Sequence, residues 1–273
     1  MWTLHRSPNE LCWRIADPMP TGYDACMSRV MAFEGLKLSI TYPTQLVCHL
    51  AERAAERQVA VTEAIRDCLE AARTLGGAPL VTHERLAYLA QQKGLSLQVA
   101  VADVLERAAQ ALPPAPSDIR TGIHEYSPEE VAAVLKGLSS SEVRNSGVRF
   151  SPQIPLQELA HLERLARLQK LGVGEAARSQ LEFWRTLGGT SVTAHQRIRQ
   201  FARAKEISLD SAVANLLTEY ARQLDDPPPG LRLPTGLQVL PLEGVLERLG
   251  DELVAAKTKQ LKAAAKKPKK SSR

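Results

Sequence analysis

Residues 36–42 read LKLSITY, and residues 148–154 read VRFSPQI. In both stretches apolar residues alternate with mostly polar ones, which is the period of a strand with one buried and one exposed face. Pro43 follows the first stretch and Pro155 follows the second. The two stretches therefore predict two short, half-buried strands.

The two strands open the two copies of an internal repeat. Residues 36–112 align without a gap with residues 148–224 at an offset of 112, and 29 of the 77 aligned pairs are identical. The clearest block reads EAARTLGG at Glu70–Gly77 and EFWRTLGG at Glu182–Gly189. Such a fixed offset over this length indicates a tandem duplication.

Each strand is followed by four predicted helices. In the first copy, Thr44–Arg57 and a stretch from Val61 carry apolar residues at helical spacing, and Gly76-Gly77 is the expected C-cap of the second helix. A further pair comprises His83–Lys93 and a helix with Ser96 as its N-cap. The predicted fold class is mainly α with short β-ribbon strands, built from two tandem units with extra helical hairpins.

The remaining segments flank or connect the two copies. Residues 1–35 form an N-terminal extension, 36–112 the first unit, 113–147 a linker, 148–224 the second unit, 225–256 a Pro-rich connector and helix, and 257–273 a basic tail. Possible strands lie at Trp2–His5 and Leu11–Ile15. A short helix is predicted from Ser127-Pro128 to about Leu138, and a helical pattern covers Leu242–Ala265. Residues 225–241 are expected to be extended because they are rich in proline.

The positive charge of the chain is concentrated in its last 17 residues. The formal net charge is +5, but residues 257–273 contain eight lysines and arginines and no acid. Removing these eight charges leaves −3 for residues 1–256. The net positive charge therefore predicts a polyanion-binding tail at residues 257–273, which we expect to be disordered. It does not indicate a basic surface on residues 1–256.

The sequence lacks the signatures of enzymes and cofactor sites. It has no P-loop, no GxGxxG after a strand, no GxSxG and no HExxH. We therefore expect no catalytic residue, no cofactor and no metal site. No apolar run approaches the roughly 20 residues that cross a bilayer, so we expect a cytoplasmic protein without a membrane partner. Aromatic residues make up 4%, which disfavours the stacking platforms of single-strand and RNA binders.

Several conspicuous side chains are assigned to packing. The four cysteines form no CxxC pair and do not recur between the copies: Cys12, Cys26, Cys48 and Cys68. Two histidine positions do recur, His49 with His161 and His83 with His195. Because nothing completes a catalytic or metal site around them, capping or packing is the expected role. Phe183 and Trp184 replace two alanines of the first copy and are expected in the core or an interface.

The order strand, helix, turn, helix resembles the ribbon-helix-helix family of DNA-binding proteins, of the Arc and MetJ type. This resemblance covers roughly 40 residues of each copy and implies an antiparallel two-stranded ribbon that enters the major groove of double-stranded DNA. It assigns base reading to the outward side chains of the strands, which are Lys37, Ser39, Thr41, Arg149, Ser151 and Gln153. Arginine or lysine with guanine and glutamine with adenine are favoured pairs.

The resemblance also assigns phosphate contacts to backbone amides at the start of the second helix of each copy. These positions are Val61-Thr62 and Val173-Gly174. The tail would add sequence-independent phosphate contacts from Lys257, Lys259, Lys262, Lys266, Lys267, Lys269 and Lys270.

Two pairings of the strands are compatible with the sequence. Strand 36–42 pairs with strand 148–154 in one shared ribbon, which we favour, or each copy forms its own ribbon with a strand at Pro79–Thr82 or Ser191–Ala194. Pro152 lies inside the second strand and lacks an amide donor, so it is expected at an edge or a bulge.

The resemblance implies a nucleoid-associated prokaryotic, plasmid or phage protein that acts without catalysis. A transcriptional repressor and a partition or transfer accessory factor both fit, and self-association or a partner protein would be compatible with either. Two other functions are compatible with the sequence. One is a protein-interaction scaffold built from the helix hairpins, and the other is a nonspecific nucleoid protein that binds DNA through its lysine-rich tail.

Overall fold

The structure is a computed structural model that describes residues 36–138, 143–144, 147–231, 233 and 235–238. The possible strands within residues 1–35, the helical pattern at Leu242–Ala265 and the tail from Lys257 onward lie outside these ranges. In the described ranges, no helix is long and apolar enough to cross a membrane.

The described residues are mainly helical, with nine helices and five short strands. The helices are α1 Thr44–Arg57, α2 Val61–Thr74, α3 Leu80–Lys93, α4 Leu97–Gln110, α5 Pro128–Lys136, α6 Leu156–Gln169, α7 Val173–Thr186, α8 Val192–Ala204 and α9 Leu209–Ala221. The strands are β1 Leu36–Lys37, β2 Ile40–Tyr42, β3 Val143–Arg144, β4 Gly147–Phe150 and β5 Gln153–Ile154. Each of α6 to α9 begins 112 residues after the corresponding helix of α1 to α4.

Most helix ends agree with the sequence prediction, and two differ. Ser96 caps α4 by accepting a hydrogen bond from the amide of Val99, as expected. Helix α3 begins at Leu80, three residues before the predicted start. The prediction missed this first turn because Leu80 is 48% exposed and does not extend the buried stripe. At the end of α2, Leu75 and not Gly76 is the first residue with positive φ.

The strands pair antiparallel across the two halves of the chain. β1 pairs with β5 through Leu36↔Ile154, and β2 pairs with β4 through Ile40↔Phe150. The two pairs belong to two short sheets that keep the same register, and the amide of Leu38 donates to the carbonyl of Pro152 between them. Residues 36–42 and 148–154 therefore run side by side as one antiparallel ribbon with an interruption at its centre. The alternative strands at Pro79–Thr82 and Ser191–Ala194 do not form, because α3 and α8 begin inside those segments. β3 adds a short third strand beside β4.

The buried side chains of the ribbon pack against helices from both halves of the chain. Helices α1, α2, α6 and α7 form one four-helix group under the ribbon, in which α2 packs mainly against α7. Helices α3, α4, α8 and α9 form a second group. The core includes Ile40, Tyr42, Phe150 and Ile154 from the ribbon. The apolar side of each strand is therefore fixed, and its polar side must face away from the helices.

Two segments expected to act as connectors pack onto the helices. Thr121 and Thr235 are buried, and each precedes a glycine that lies against the backbone of a helix end. Gly122 faces the carbonyl of Arg185 at the end of α7, and Gly236 faces that of Arg73 at the end of α2. Residues 121–122 of the linker and 235–236 of the connector therefore contribute to packing as well as to connection.

Replacement of Gly122 by alanine is expected to lower the free energy of unfolding by about 2 kcal/mol. A Cβ at this position would overlap the backbone carbonyl of Arg185, and a backbone atom cannot rotate away. Urea denaturation measures the change. G137A is the matched control, because the nearest atom to its Cβ is 3.4 Å away and its backbone is right-handed. Equal stability of G122A and the unmodified chain would contradict this packing.

Candidate nucleic-acid interface

The six side chains assigned to base reading lie on one face of the ribbon. Lys37 pairs with Gln153 and Thr41 pairs with Arg149 across the strands, and the register places Ser39 opposite Ser151. Five of the six are exposed and Thr41 is half-buried, whereas their strand neighbours Ile40, Phe150 and Ile154 are buried. The sequence assignment of the outward face therefore agrees with the structure.

Ser39 and Ser151 lie at the centre of this polar face. The Ser151 hydroxyl donates to Ser39 Oγ at 3.1 Å, and Arg149 Nε donates to the same oxygen at 2.6 Å. These serines occupy equivalent positions of the two repeat copies. The local twofold axis of the ribbon therefore passes between them.

The dimensions of the polar face suit a DNA groove. From residue 37 to residue 41, a strand advances about 14 Å at roughly 3.4 Å per residue. The major groove of B-DNA is about 12 Å wide and admits a two-stranded ribbon. Lys37 and Arg149 place one positive charge near each end of the face, on opposite strands.

Pro152 lies inside the ribbon without a bulge, which corrects the sequence expectation. The register is the same on both sides of it, at Leu36↔Ile154 and at Ile40↔Phe150. The amide of Leu38 donates to the carbonyl of Pro152 at 3.1 Å, which makes these two residues a hydrogen-bonded pair. The nitrogen of Pro152 therefore faces the partner strand, and the ribbon lacks one cross-strand hydrogen bond.

The two helix starts assigned to phosphate contacts differ in how their amides are used. At α2, the N-cap residue Ala60 supplies no side-chain cap, so the first-turn amides of Val61 and Thr62 have no such partner. At α7, the Glu175 carboxylate accepts a hydrogen bond from the amide of Gly172 at 2.9 Å. A phosphate at Val173-Gly174 would therefore lie beside a carboxylate.

Two arginines beside these helix starts were not assigned by sequence reasoning. Arg178 of α7 donates to the backbone carbonyl of Thr41 at 3.1 Å, which places its guanidinium at the edge of the ribbon. Its counterpart Arg66 of α2 pairs with Glu63 at 3.2 Å. Both arginines are partly exposed, at 35% and 41% of the side chain. Their identity in the two repeat copies was the signal that could have revealed them.

Comparison of the chain with family models, curated proteins and solved structures gave no match. The outward ribbon face and the adjoining starts of α2 and α7 are hereafter called the ribbon surface.

Three of the four recurring histidines, His49, His83 and His195, are buried, and His161 is half-buried. His83 Nε2 donates to the carbonyl of Thr74 at 2.9 Å, and His195 Nε2 donates to that of Arg185 at 3.1 Å. Each imidazole thereby satisfies a carbonyl at the end of the preceding helix. The expected role in capping and packing is confirmed for this pair.

His49 belongs to a polar network with the segment that follows the first repeat copy. Its Nε2 donates to the carbonyl of His124 at 2.9 Å, and the Tyr126 hydroxyl donates to Glu52 at 2.6 Å beside it. Burial and the nearby Arg185 lower the pKa of His49 to about 4. The imidazole is therefore neutral at pH 7. Among the described residues, no group of three metal-ligating side chains comes together.

Phe183 and Trp184 lie in the core, as expected from their substitution for two alanines. Trp184 is 3% exposed, and its indole Nε1 donates to Asp210 Oδ1 at 2.9 Å. Asp210 also forms an ion pair with Arg53. The indole is therefore committed to internal contacts and offers no platform for stacking bases. Cys48 and Cys68 are likewise buried and free.

Proposed function

We propose that this protein binds double-stranded DNA in a sequence-specific manner through the ribbon surface, without catalysis. The observation that carries the proposal is the placement of six hydrogen-bonding side chains on one face of the antiparallel ribbon formed by strands from both halves of the chain. These side chains are held in register by a buried opposite face, so they are arranged before any partner binds.

The chemistry of the ribbon surface supports base reading in the major groove. Lys37 and Arg149 present donors that match guanine O6 and N7, and Gln153 presents the donor and acceptor that match adenine. The central hydroxyls of Ser39 and Ser151 can donate or accept. At each of these equivalent positions, both repeat copies carry a side chain that can form hydrogen bonds.

The arrangement of helices supports the resemblance to ribbon-helix-helix proteins. In each half a ribbon strand leads into two helices, and the second of them begins near the ribbon: Gly174 of α7 lies against Ile40 of β2. A helix start next to a groove-binding element is suited to hold a DNA phosphate through its free amides. Arg66 and Arg178 would add charge-assisted contacts to the same phosphates.

The tail would act as an auxiliary arm. Residues 1–256 carry a net charge of −3, so most nonspecific attraction to DNA would come from residues 257–273. Affinity and sequence selection would then reside in different parts of the chain. By analogy with the family, the protein would serve as a repressor or as a partition or transfer accessory factor.

Removal of the two ribbon cations is expected to weaken binding to a selected duplex by about 100-fold, because each base contact of this kind is worth roughly 1–3 kcal/mol. The variant is K37A/R149A. The matched control R107A/R222A removes the same charge from two exposed side chains of the second helix group, on α4 and at the C-cap of α9. It is expected to change affinity less than about tenfold. Fluorescence anisotropy at fixed salt, after selection from a random duplex pool, measures both.

A chain ended after Ala256 separates the tail from the ribbon. It is expected to keep its sequence preference while losing affinity and part of its salt dependence. If this truncation abolishes binding and the full chain shows no sequence preference, the protein is a nonspecific binder and the proposal is wrong. Failure of the full chain to bind any duplex at low salt would also reject it and would favour a protein-interaction scaffold.

A further inference from the structure

The two ends of the ribbon surface are chemically different. At one end Lys37 stands opposite Gln153, and at the other Arg149 stands opposite Thr41. The Ser39 and Ser151 pair lies between them. A ribbon made by two identical chains would present the same pair of side chains at both ends.

The pairing register is symmetric about the centre of the ribbon, so the base-reading positions at the two ends are equivalent and differ in their side chains. In the described residues, β3 adjoins β4 at the Arg149 end alone. Position 37 is equivalent to position 149 and position 41 to position 153 under the 112-residue offset. The same offset relates Ser39 to Ser151, which hydrogen-bond to each other at the centre. The local twofold axis therefore exchanges the two ends and superposes lysine on arginine and threonine on glutamine.

The symmetry of a DNA reader determines the symmetry of its site. A reader with a true twofold axis contacts two identical half-sites in opposite orientation, so its site is an inverted repeat. A reader with unlike ends contacts two different half-sites. Both halves of this ribbon belong to one chain, so the asymmetry is present in every molecule.

We propose that the ribbon surface recognises a non-palindromic DNA site, with one half-site read by Lys37 and Gln153 and the other by Arg149 and Thr41. This inference rests on the DNA-binding function proposed above. Glutamine favours adenine through two hydrogen bonds, whereas threonine contributes one hydrogen bond or a methyl contact to thymine. The protein therefore binds its site in one orientation, so the orientation of the site along the DNA sets the orientation of the bound protein.

The residues beside the two ends of the ribbon also differ. At the Thr41 end, Arg178 is tied to the carbonyl of Thr41. At the Gln153 end, the equivalent Arg66 is paired with Glu63. The helix starts differ as well, since Thr62 corresponds to Gly174. Backbone contacts at the two half-sites are therefore unequal too.

Four substitutions control the symmetry of the base-reading side chains at the two ends of the ribbon. K37R/T41Q gives both ends an arginine and a glutamine, and R149K/Q153T gives both ends a lysine and a threonine. The combination of all four exchanges the two ends and serves as the matched control. Each full-length protein selects from duplexes with about ten randomised base pairs, which is long enough for one ribbon and too short for two.

The unmodified chain is expected to select a site whose halves differ. K37R/T41Q is expected to select an inverted repeat whose halves are each read by an arginine and a glutamine, and R149K/Q153T an inverted repeat whose halves are each read by a lysine and a threonine. The four-substitution variant is expected to return to the site of the unmodified chain. Replacing one half of that site by an inverted copy of the other is expected to weaken the unmodified chain at least tenfold, because each wrong base pair costs about 1–3 kcal/mol.

The outcomes distinguish this inference from the proposed function. Selection of an inverted repeat by the unmodified chain overturns the inference and leaves sequence-specific binding in place. A non-palindromic site that K37R/T41Q leaves unchanged also overturns it, because the asymmetry would then arise outside the ribbon. Recovery of no preferred sequence by any variant rejects the proposed function itself. Circular dichroism of each variant verifies that the fold is retained.

Discussion

Acidification from pH 7 to pH 4.5 is expected to lower the free energy of unfolding by about 7 kcal/mol through three histidines alone. Burial and nearby arginines lower the pKa to about 4 for His49 and His161 and to about 3 for His195. The unfolded value is 6.5. Such a loss is comparable to the total stability of many domains, which is roughly 5–15 kcal/mol.

The sign follows from proton binding. Because the folded-state pKa values lie below 6.5, the unfolded chain binds more protons than the folded chain between pH 6.5 and the folded values. The stabilisation is complete above pH 6.5 and is lost as the pH falls. His195 contributes strongly because it is fully buried and its neighbours Arg199, Arg185 and His49 oppose a positive charge.

Urea denaturation at pH 7, 6 and 5 measures the dependence. Near pH 5 each of these imidazoles contributes a slope of about 1.2 kcal/mol per pH unit. H195Q retains a side-chain donor for the carbonyl of Arg185 but removes the titrating group, so its slope is expected to fall by that amount. An unchanged slope in H195Q would show that other groups cause the acid sensitivity.

Breaking the buried ion pair between Arg73 and Glu158 is expected to lower the free energy of unfolding by about 3–5 kcal/mol. Arg73 Nε donates to Glu158 Oε2 at 2.6 Å, and Glu158 is 3% exposed. Removal of either partner leaves a charge in the interior without its counterion. The equivalent position in the first repeat copy holds Leu46, so E158L introduces the side chain that the other half of the chain already uses.

A double-mutant cycle isolates the ion pair from general repacking. E158L and R73M are each expected to be strongly destabilised, whereas E158L/R73M is expected to be only as unstable as one single variant. This corresponds to a coupling energy of about 3 kcal/mol. R73M also loses the hydrogen bond from Arg73 to the carbonyl of Gly236. The loss occurs in both the single and the double variant, so it cancels in the coupling energy. Additive single effects would mean that the pair contributes little.

The helices and the outward ribbon face could be predicted from the sequence because they depend on local periodicity. Alternation from Leu36 to Tyr42 identified Lys37, Ser39 and Thr41 as outward residues, and the structure places them there. The 112-residue offset then gave the corresponding residues of the second strand. Helix α1 has the predicted ends because Pro43 precedes it and its apolar stripe ends near Arg57.

Local periodicity could not predict contacts between residues that are far apart in the sequence. The Thr-Gly pairs at 121–122 and 235–236 look like ordinary turn residues in the sequence, and only the backbone of α7 and α2 explains them. The contact of Arg178 with Thr41 joins residues 137 positions apart. Pro152 suggested an edge or a bulge because the sequence rule considers one strand alone. In the structure, pairing with the partner strand keeps the register and loses one hydrogen bond.

The shared ribbon also determines when this chain can complete its fold. Its paired residues are separated by 106 to 118 positions, from Tyr42↔Val148 to Leu36↔Ile154. Such a large loop closes slowly, and a chain rich in distant contacts folds later than one built from local contacts. During synthesis the first strand cannot pair fully, and its edge stays unpaired, until residue 154 has left the ribosome. A neighbouring nascent copy that offers its own second strand would compete for that edge and produce a strand-exchanged dimer.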